Sequence, residues 1–304
     1  MASRTGTNRW LWRAVFLIFL IDVVVAARRG LWYEPDSLVV RHYTLQIPNW
    51  PRALDGFKIA AVGDIHAGSP YVDERKLSEM VRLISESNPD LIVWLGDYVI
   101  HGVLGGRFIE PEKTADILAT ARSRYGQVAI IGNHDRWLDP VRIERAFNHA
   151  SIPFLRWQSR TLLIDGVRLH LSGLDDFELS PRYRPTLDQK IAEWRARPAD
   201  DPILVLSHNP DVFPSLPARI SLTLASHTHG GQVRLPFLGS PIVPSSFGQR
   251  FALGHIEEGG RHLFVNPGIG TSIIPVRFGV PPEISILTLR HVGPGTKMPG
   301  SPRP

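Results

Sequence analysis

The sequence predicts an α/β protein in which a mixed, two-sheet arrangement replaces a single doubly wound sheet. Two observations carry this. In the first half, the short apolar runs FKIAAVGDIH, DLIVWLGDYV and GQVAIIGNHD alternate with segments of helical spacing. Such continuous β-rich runs read as strands buried on both faces. In the second half strands outnumber helices: RTLLIDGVRLHLSGLDD, PILVLSHNP, ISLTLASHTH, RHLFVNPGIG and EISILTLR follow one another with little helix between them. Runs of strands of this kind favour two sheets.

The elements follow in order. Residues 10–27, WLWRAVFLIFLIDVVVAA, are apolar except for Arg13 and Asp22. As a helix they span about 27 Å, close to the hydrocarbon thickness of a bilayer. Three readings compete. A membrane anchor is preferred; Val25-Ala26-Ala27 also suits a cleaved signal peptide, and an amphipathic or buried helix is the third. Asp22 counts against a span, because a carboxylate near mid-membrane is costly. Arg4, Arg9 and Arg13 lie before or at its start, against Arg28 and Arg29 after it. The excess weakly favours a cytoplasmic N-terminus and a domain outside. SLVVRHYTLQI alternates like a strand, within a lead-in covering 30–56. DERKLSEMVRLISES puts Leu77, Met80, Val81 and Ile84 on one helical face, and EKTADILATARSRY is a second helix. The Pro/Gly-rich 234–250 is a long loop, and 291–304 a disordered tail.

The 304 residues are 43% hydrophobic and 21% charged, enough for one large core and against global disorder. There is no cysteine, which excludes disulfides, thiolate metal sites and a cysteine nucleophile. A metal must sit on His, Asp, Glu or Asn, a donor set suited to Mn, Fe, Zn or Mg. The net charge of +5 favours anionic partners, but no basic block points to nucleic acid.

Five apolar runs end in such donors: Asp64-Ile65-His66, Gly96-Asp97, Gly132-Asn133-His134-Asp135, Ser207-His208 and Ser226-His227-Thr228-His229. Strand ends of an open α/β sheet lie on one edge, where ligand-binding groups gather. Side chains at i and i+2 of a strand share a face, so Asp64 with His66, and His227 with His229, can hold one ion or two adjacent ones. Each piece alone has a plainer reading as a turn. A Gly-Asp after a strand is ordinarily structural, as is a single loop histidine. The five together are improbable as accidents.

This ordered set resembles the calcineurin-like metallophosphoesterase superfamily, from about Gly63 to His229, with a domain from 57 to 290. The VNPGIGTSIIPVRFGVPPEISILTL ending and the N-terminal apolar segment resemble its membrane-anchored bacterial phosphodiesterase branch. Ser226 departs from the glycine usual before His-x-His. The resemblance implies a four-layer α-β-β-α sandwich of two mixed sheets and two divalent ions. Asp64, His66, Asp97 and His229 would hold one ion. Asp97, Asn133, His208 and His227 would hold the other, with Asp97 bridging. Water between two such cations becomes a hydroxide nucleophile near neutral pH. His134 would be the proton donor to the leaving group or a stabiliser of the transition state. Asp135 would orient its imidazole; its plainer reading is a turn or helix cap.

The expected activity is hydrolysis of a phosphodiester or pyrophosphate bond, with a leaning to a lipid or cell-envelope substrate. Alternatives are a phosphomonoesterase or protein phosphatase, a nuclease, and a non-catalytic metal-binding membrane scaffold. Arg107, Arg136, Arg234 and Arg250 are loop arginines that could contact phosphate. Asp175 and Asp176 read as turn residues. His101, His149, His170, His255, His262 and His291 match no motif and read as surface or structural.

Overall fold

The computed structural model describes residues 6–48, 50–175 and 184–292. Asp176 and all of the expected tail beyond Val292 lie outside the described residues. Among the described residues, eleven strands form two mixed sheets. The first has the order β1 (Val39–Ile47), β11 (Glu283–His291), β2 (Phe57–Val62), β3 (Leu91–Trp94), β4 (Gln127–Ala129). The second has the order β5 (Ser159–Ile164), β6 (Val167–Gly173), β7 (Ile203–Leu206), β8 (Leu222–Ala225), β10 (Arg261–Val265), β9 (Gly254–Glu258). The alternating side chains of each strand sort into three buried layers. Ile59, Ala61, Leu91, Val93 and Leu287 meet Leu204, Leu206, Leu222, Leu224 and Phe264 between the sheets.

On the outer face of the first sheet, Ala60, Val62, Ile92 and Trp94 pack under three helices: α3 (Glu74–Glu86), α4 (Pro111–Ala119) and α6 (Pro140–His149). The face of α3 that is buried carries Leu77, Met80, Val81 and Ile84, as the periodicity predicts. Asp73 caps its start by accepting from the Lys76 amide at 2.8 Å. α4 is shorter than expected. It stops at Ala119, where the Thr120 hydroxyl donates to the Ile117 carbonyl at 2.7 Å and begins a turn. On the outer face of the second sheet, Val205, Leu263 and Val265 pack under α7 (Arg184–Ala196) and the 3₁₀ segment Pro210–Ser215. The result is the expected α-β-β-α sandwich.

β1 falls inside the stretch expected to be a lead-in, yet it pairs in parallel with β11 from Val39↔Glu283 to Ile47↔His291. Before it, α1 (Gly6–Arg28) continues through a π-helical turn, Arg29–Tyr33, into the short α2 (Glu34–Asp36). Among the described residues, Arg9–Asp36 is a helix long and apolar enough to cross a membrane, and none of its apolar stretch is buried.

Candidate metal centre

The five donor-bearing runs leave β2, β3, β4, β7 and β8 at the same edge. The donors themselves lie beyond the strands. The i, i+2 logic of a strand therefore does not place them. Asp64, His66, Asp97, His227 and His229 all have left-handed backbones, with φ from 44° to 72°. Each costs about 1 kcal/mol or more and persists only where the surroundings enforce it. The turns fold the chain back, so that residues adjacent in sequence part company. His229 gathers with Asp64 and His66, while His227 gathers with Asp97 and His208.

Every donor is buried or nearly so, and the arrangement suits a cation. His66 Nδ1 donates to the Val99 carbonyl at 3.1 Å, and His208 Nδ1 to the Leu95 carbonyl at 2.8 Å. These bonds assign the proton to Nδ1 and leave Nε2 bare. The bare Nε2 of His208 then faces the Asn133 amide oxygen at 3.0 Å and Asp97 Oδ2 at 3.2 Å. Acceptors facing acceptors in a dry site are unfavourable unless positive charge sits between them. Asp64 shows the same need. Its Oδ2 accepts from the Ser226 hydroxyl at 2.5 Å and the His227 amide at 2.8 Å. Its Oδ1 is buried without a hydrogen-bond partner, 3.8 Å from both His208 and His229 Nε2. The donor set fits a pair of divalent ions.

Asp97 is central. One oxygen, Oδ1, accepts the His134 amide at 2.8 Å. The other, Oδ2, lies 3.2 Å from His208, 3.7 Å from His66 and 4.0 Å from His134, so it faces both groups of donors. Burial opposes its ionisation, but the His208, His134 and His66 rings outweigh that and hold it below the usual carboxylate range. Burial pushes His66 and His227 down to about 3. Burial also lowers His229 well below its ordinary value, with His66 and the Arg277 guanidinium adding to the effect. Neutral imidazoles and an ionised Asp97 are the forms that bind metal. Gly132 makes the approach possible. A Cβ there would lie 2.1 Å from Asp97 Oδ1.

One expectation changes. Asp135 does not touch the His134 ring. Its carboxylate accepts backbone amides instead: Asp97 at 2.8 Å, Tyr98 at 2.8 Å, Val99 at 3.3 Å and Gly132 at 3.0 Å. The reason is geometric: Asp135 lies in the first turn of α5 (Asn133–Leu138), with its carboxylate on the amides of the Asp97 loop. Burial and then the Asp97 charge push this carboxyl up to about 7, against the pull of those amides. His134 Nδ1 is buried without a hydrogen-bond partner. Its ring packs edge-on to His66 at 4.7 Å and tilted against Trp137 at 4.7 Å.

Ser226, the departure from the usual glycine, bonds Asp64. Ser226→Ala is expected to weaken metal affinity about tenfold, the scale of losing a group that orients a ligand. Isothermal titration of Mn into metal-stripped protein would measure it, and unchanged affinity would remove Ser226 from the site's support.

Some residues at the site had no sequence signal. His101, Trp137, Gln232, Ile242, Pro244 and Ile273 line a cavity of about 330 Å³ together with Asp97, Asn133, His134, His227 and His229. His101 follows Asp97 on the same loop, the one hint available. Arg107, Arg136, Arg234 and Arg250 do not line this cavity. Arg250 is paired with Glu258 at 2.7 and 2.6 Å, and Arg136 with Asp175 at 3.3 Å. Asp175 is itself buried and also meets Arg156 at 3.3 Å, so it is an ion-pair residue. The arginine that approaches the donors is Arg277. Its buried guanidinium donates to the carbonyls of Gly270, Pro267 and Val280 at 2.6–3.1 Å, and Nη2 stands 3.3 Å from His229 Nδ1. Burial lowers it only to about 10, so it remains a cation that ties the segment 267–280 to the centre.

A two-sheet α/β sandwich with buried His/Asp clusters at one sheet edge defines a metal-dependent hydrolase. Residues 57–240 match the profile of the calcineurin-like phosphoesterase family. The chain is 31% identical to the uncharacterized metallophosphoesterase YkuE of Bacillus subtilis, over 85% of its own length and 88% of that protein's. It is 32% identical to the phosphodiesterase YaeI of Escherichia coli, over 77% and 82%. It is 25% identical to the UDP-2,3-diacylglucosamine pyrophosphatase LpxG of Chlamydia trachomatis, over 84% and 90%. The chain belongs to the calcineurin-like phosphoesterase family, and is a metallophosphoesterase.

Proposed function

We propose that the chain hydrolyses a phosphodiester or pyrophosphate bond in a lipid- or envelope-linked substrate, at a centre of two divalent ions. Asp64, His66, Asp97 and His229 would hold one ion, and Asp97, Asn133, His208 and His227 the other. The observation that carries this is Asp97 Oδ2, which faces both donor groups at the floor of the 330 Å³ cavity. When bound, a metal pair acidifies water to a nucleophile and offsets charge on the phosphoryl oxygens.

The residues of the chain do the rest. Asp64, fixed by Ser226 and the His227 amide, presents one free oxygen. Asp135 keeps the Asp97 loop in shape. His134, at the cavity wall beside Asp97, is lowered by burial and acts in its neutral form as an N–H donor to the leaving oxygen. Trp137, Ile242 and Ile273 give the cavity an apolar wall that excludes water from one side of a bound ester. That wall, the apolar α1, and relatives named as a phosphodiesterase and a UDP-2,3-diacylglucosamine pyrophosphatase support the lipid-linked substrate class.

EDTA is expected to abolish turnover and Mn to restore it. His134→Ala is expected to keep both metals while kcat falls about 10²–10³-fold, the usual loss of one positioned donor. The loss should be larger for alkyl than for aryl leaving groups, which need less help. Equal rates for His134→Ala and the unaltered chain would remove that role. Faster turnover of a phosphomonoester than of a phosphodiester or lipid pyrophosphate would overturn the substrate class.

A further inference from the structure

Two residues of the cavity wall, Ile242 and Ile273, are exposed, and the loops joined to them carry further apolar side chains in solvent. Leu104, Phe237, Leu238, Ile242, Ile273 and Ile274 are all exposed, Phe237 completely so. Single exposed apolar residues are ordinary, but a group of this size on joined loops marks a contact surface. The loops are joined. The Leu104 amide donates to the Ile273 carbonyl at 3.1 Å, and the Gln232 side chain reaches the Ile274 carbonyl at 3.4 Å. Phe237 and Leu238 project from a turn closed by Leu235 and Gly239, and Phe237 is held at φ 65°. Ile242 and Ile273 belong to both the rim and the cavity wall.

The same loops seat the foot of the apolar helix. The Arg277 amide donates to the Gly30 carbonyl at 2.9 Å, where α1 runs into its π-helical turn. The Arg29 guanidinium lies 5.1 Å over the Phe278 ring, and the Tyr71 hydroxyl donates to the Leu31 carbonyl at 2.8 Å. Phe278 then exchanges backbone bonds with Gln232 and Arg234 at 2.8 and 2.7 Å, which leads straight to the Phe237 turn. Beside this junction Trp32 and Tyr33 are exposed and Arg28 lies over Tyr33. Exposed aromatics with arginines at the end of an apolar helix suit the headgroup layer of a bilayer.

We infer that this rim is a membrane-seating surface. Its apolar tips enter the bilayer that holds α1, so the metal-site cavity opens onto the headgroup layer and receives phosphoesters carried by membrane lipids. The seating rests on α1 as an anchor, and its substrate consequence on the proposed hydrolysis. Rim and helix act as two attachments of one body, which fixes the orientation of the mouth as well as its distance from the membrane.

The absence of cysteine allows a clean test on the full chain in vesicles of phosphatidylcholine and phosphatidylglycerol. Single variants Phe237→Cys and Leu238→Cys carry an environment-sensitive fluorophore. Leu163→Cys is the control, exposed beside Arg168 at the opposite edge of the second sheet. Lipids brominated in their acyl chains are expected to quench the labels at 237 and 238 and to spare the label at 163. Equal quenching at all three positions, or energy transfer between chains without lipid quenching, would overturn the seating. The second result would make the rim a contact between copies. In turnover, Phe237→Ser with Leu238→Ser is expected to keep the rate on a soluble aryl phosphodiester and lose about tenfold on a vesicle-borne one. An equal rate on both would also overturn it. Quenching needs no turnover, so failure of the hydrolase reading and failure of the seating register separately.

Discussion

Asp97→Asn is expected to leave a folded chain that binds less than one metal per molecule and turns over at least about 10³-fold more slowly, roughly 4 kcal/mol of barrier. The substitution keeps the shape of the side chain and an acceptor for the His134 amide. It removes the negative charge from the one atom that faces both donor groups, Oδ2. Neutral histidines and one remaining carboxylate, Asp64, cannot offset two dications in a buried site. The loss should therefore fall on both ions together, unlike His227→Ala, which reduces the second donor group alone. Metal content by inductively coupled plasma mass spectrometry and the melting temperature in EDTA give the two readouts. A variant that retained two metals and half its rate would refute the bridging role.

Asp135→Asn is expected to act through the backbone. Its carboxylate accepts from four amides, and an amide side chain must turn an NH₂ toward donors. Two buried donors left unsatisfied cost about 3 kcal/mol together. For a domain of this size that lowers the melting temperature by roughly 5–10 °C, even without metal. The Asp97 loop should loosen with it, so metal affinity falls as well. An aspartate that merely oriented His134 would behave differently: kcat would fall while melting and metal affinity stayed unchanged. Differential scanning calorimetry in EDTA separates the two accounts.

The contrast between these residues shows what is legible in a linear chain. Asp64, His66, Asp97, Asn133, His208, His227 and His229 each follow an apolar run, and topology brings parallel strand ends to one edge. Their convergence could be read without a structure for that reason. The buried strands and the α3 stripe were equally readable, since continuous apolar runs and helical spacing are local patterns. Asp135 was not, because its partners lie on a loop nearly forty residues earlier, and a sequence neighbour, His134, offered a simpler account. Arg277 and the cavity-wall residues Ile242 and Ile273 come from irregular segments with no period to betray them. The alternate assignment of His227 and His229 depends on left-handed turns, and sequence marks those reliably only at glycine or asparagine.

The placement of β11 has a consequence for biogenesis. The last of the described strands to be synthesised enters the first sheet between the first two, β1 and β2. Until it emerges from the ribosome, both of those strands keep an unpaired edge with apolar flanks, the condition in which nascent chains associate wrongly. Any truncation before Glu283 should leave the sheet open, whatever remains of the metal-binding residues.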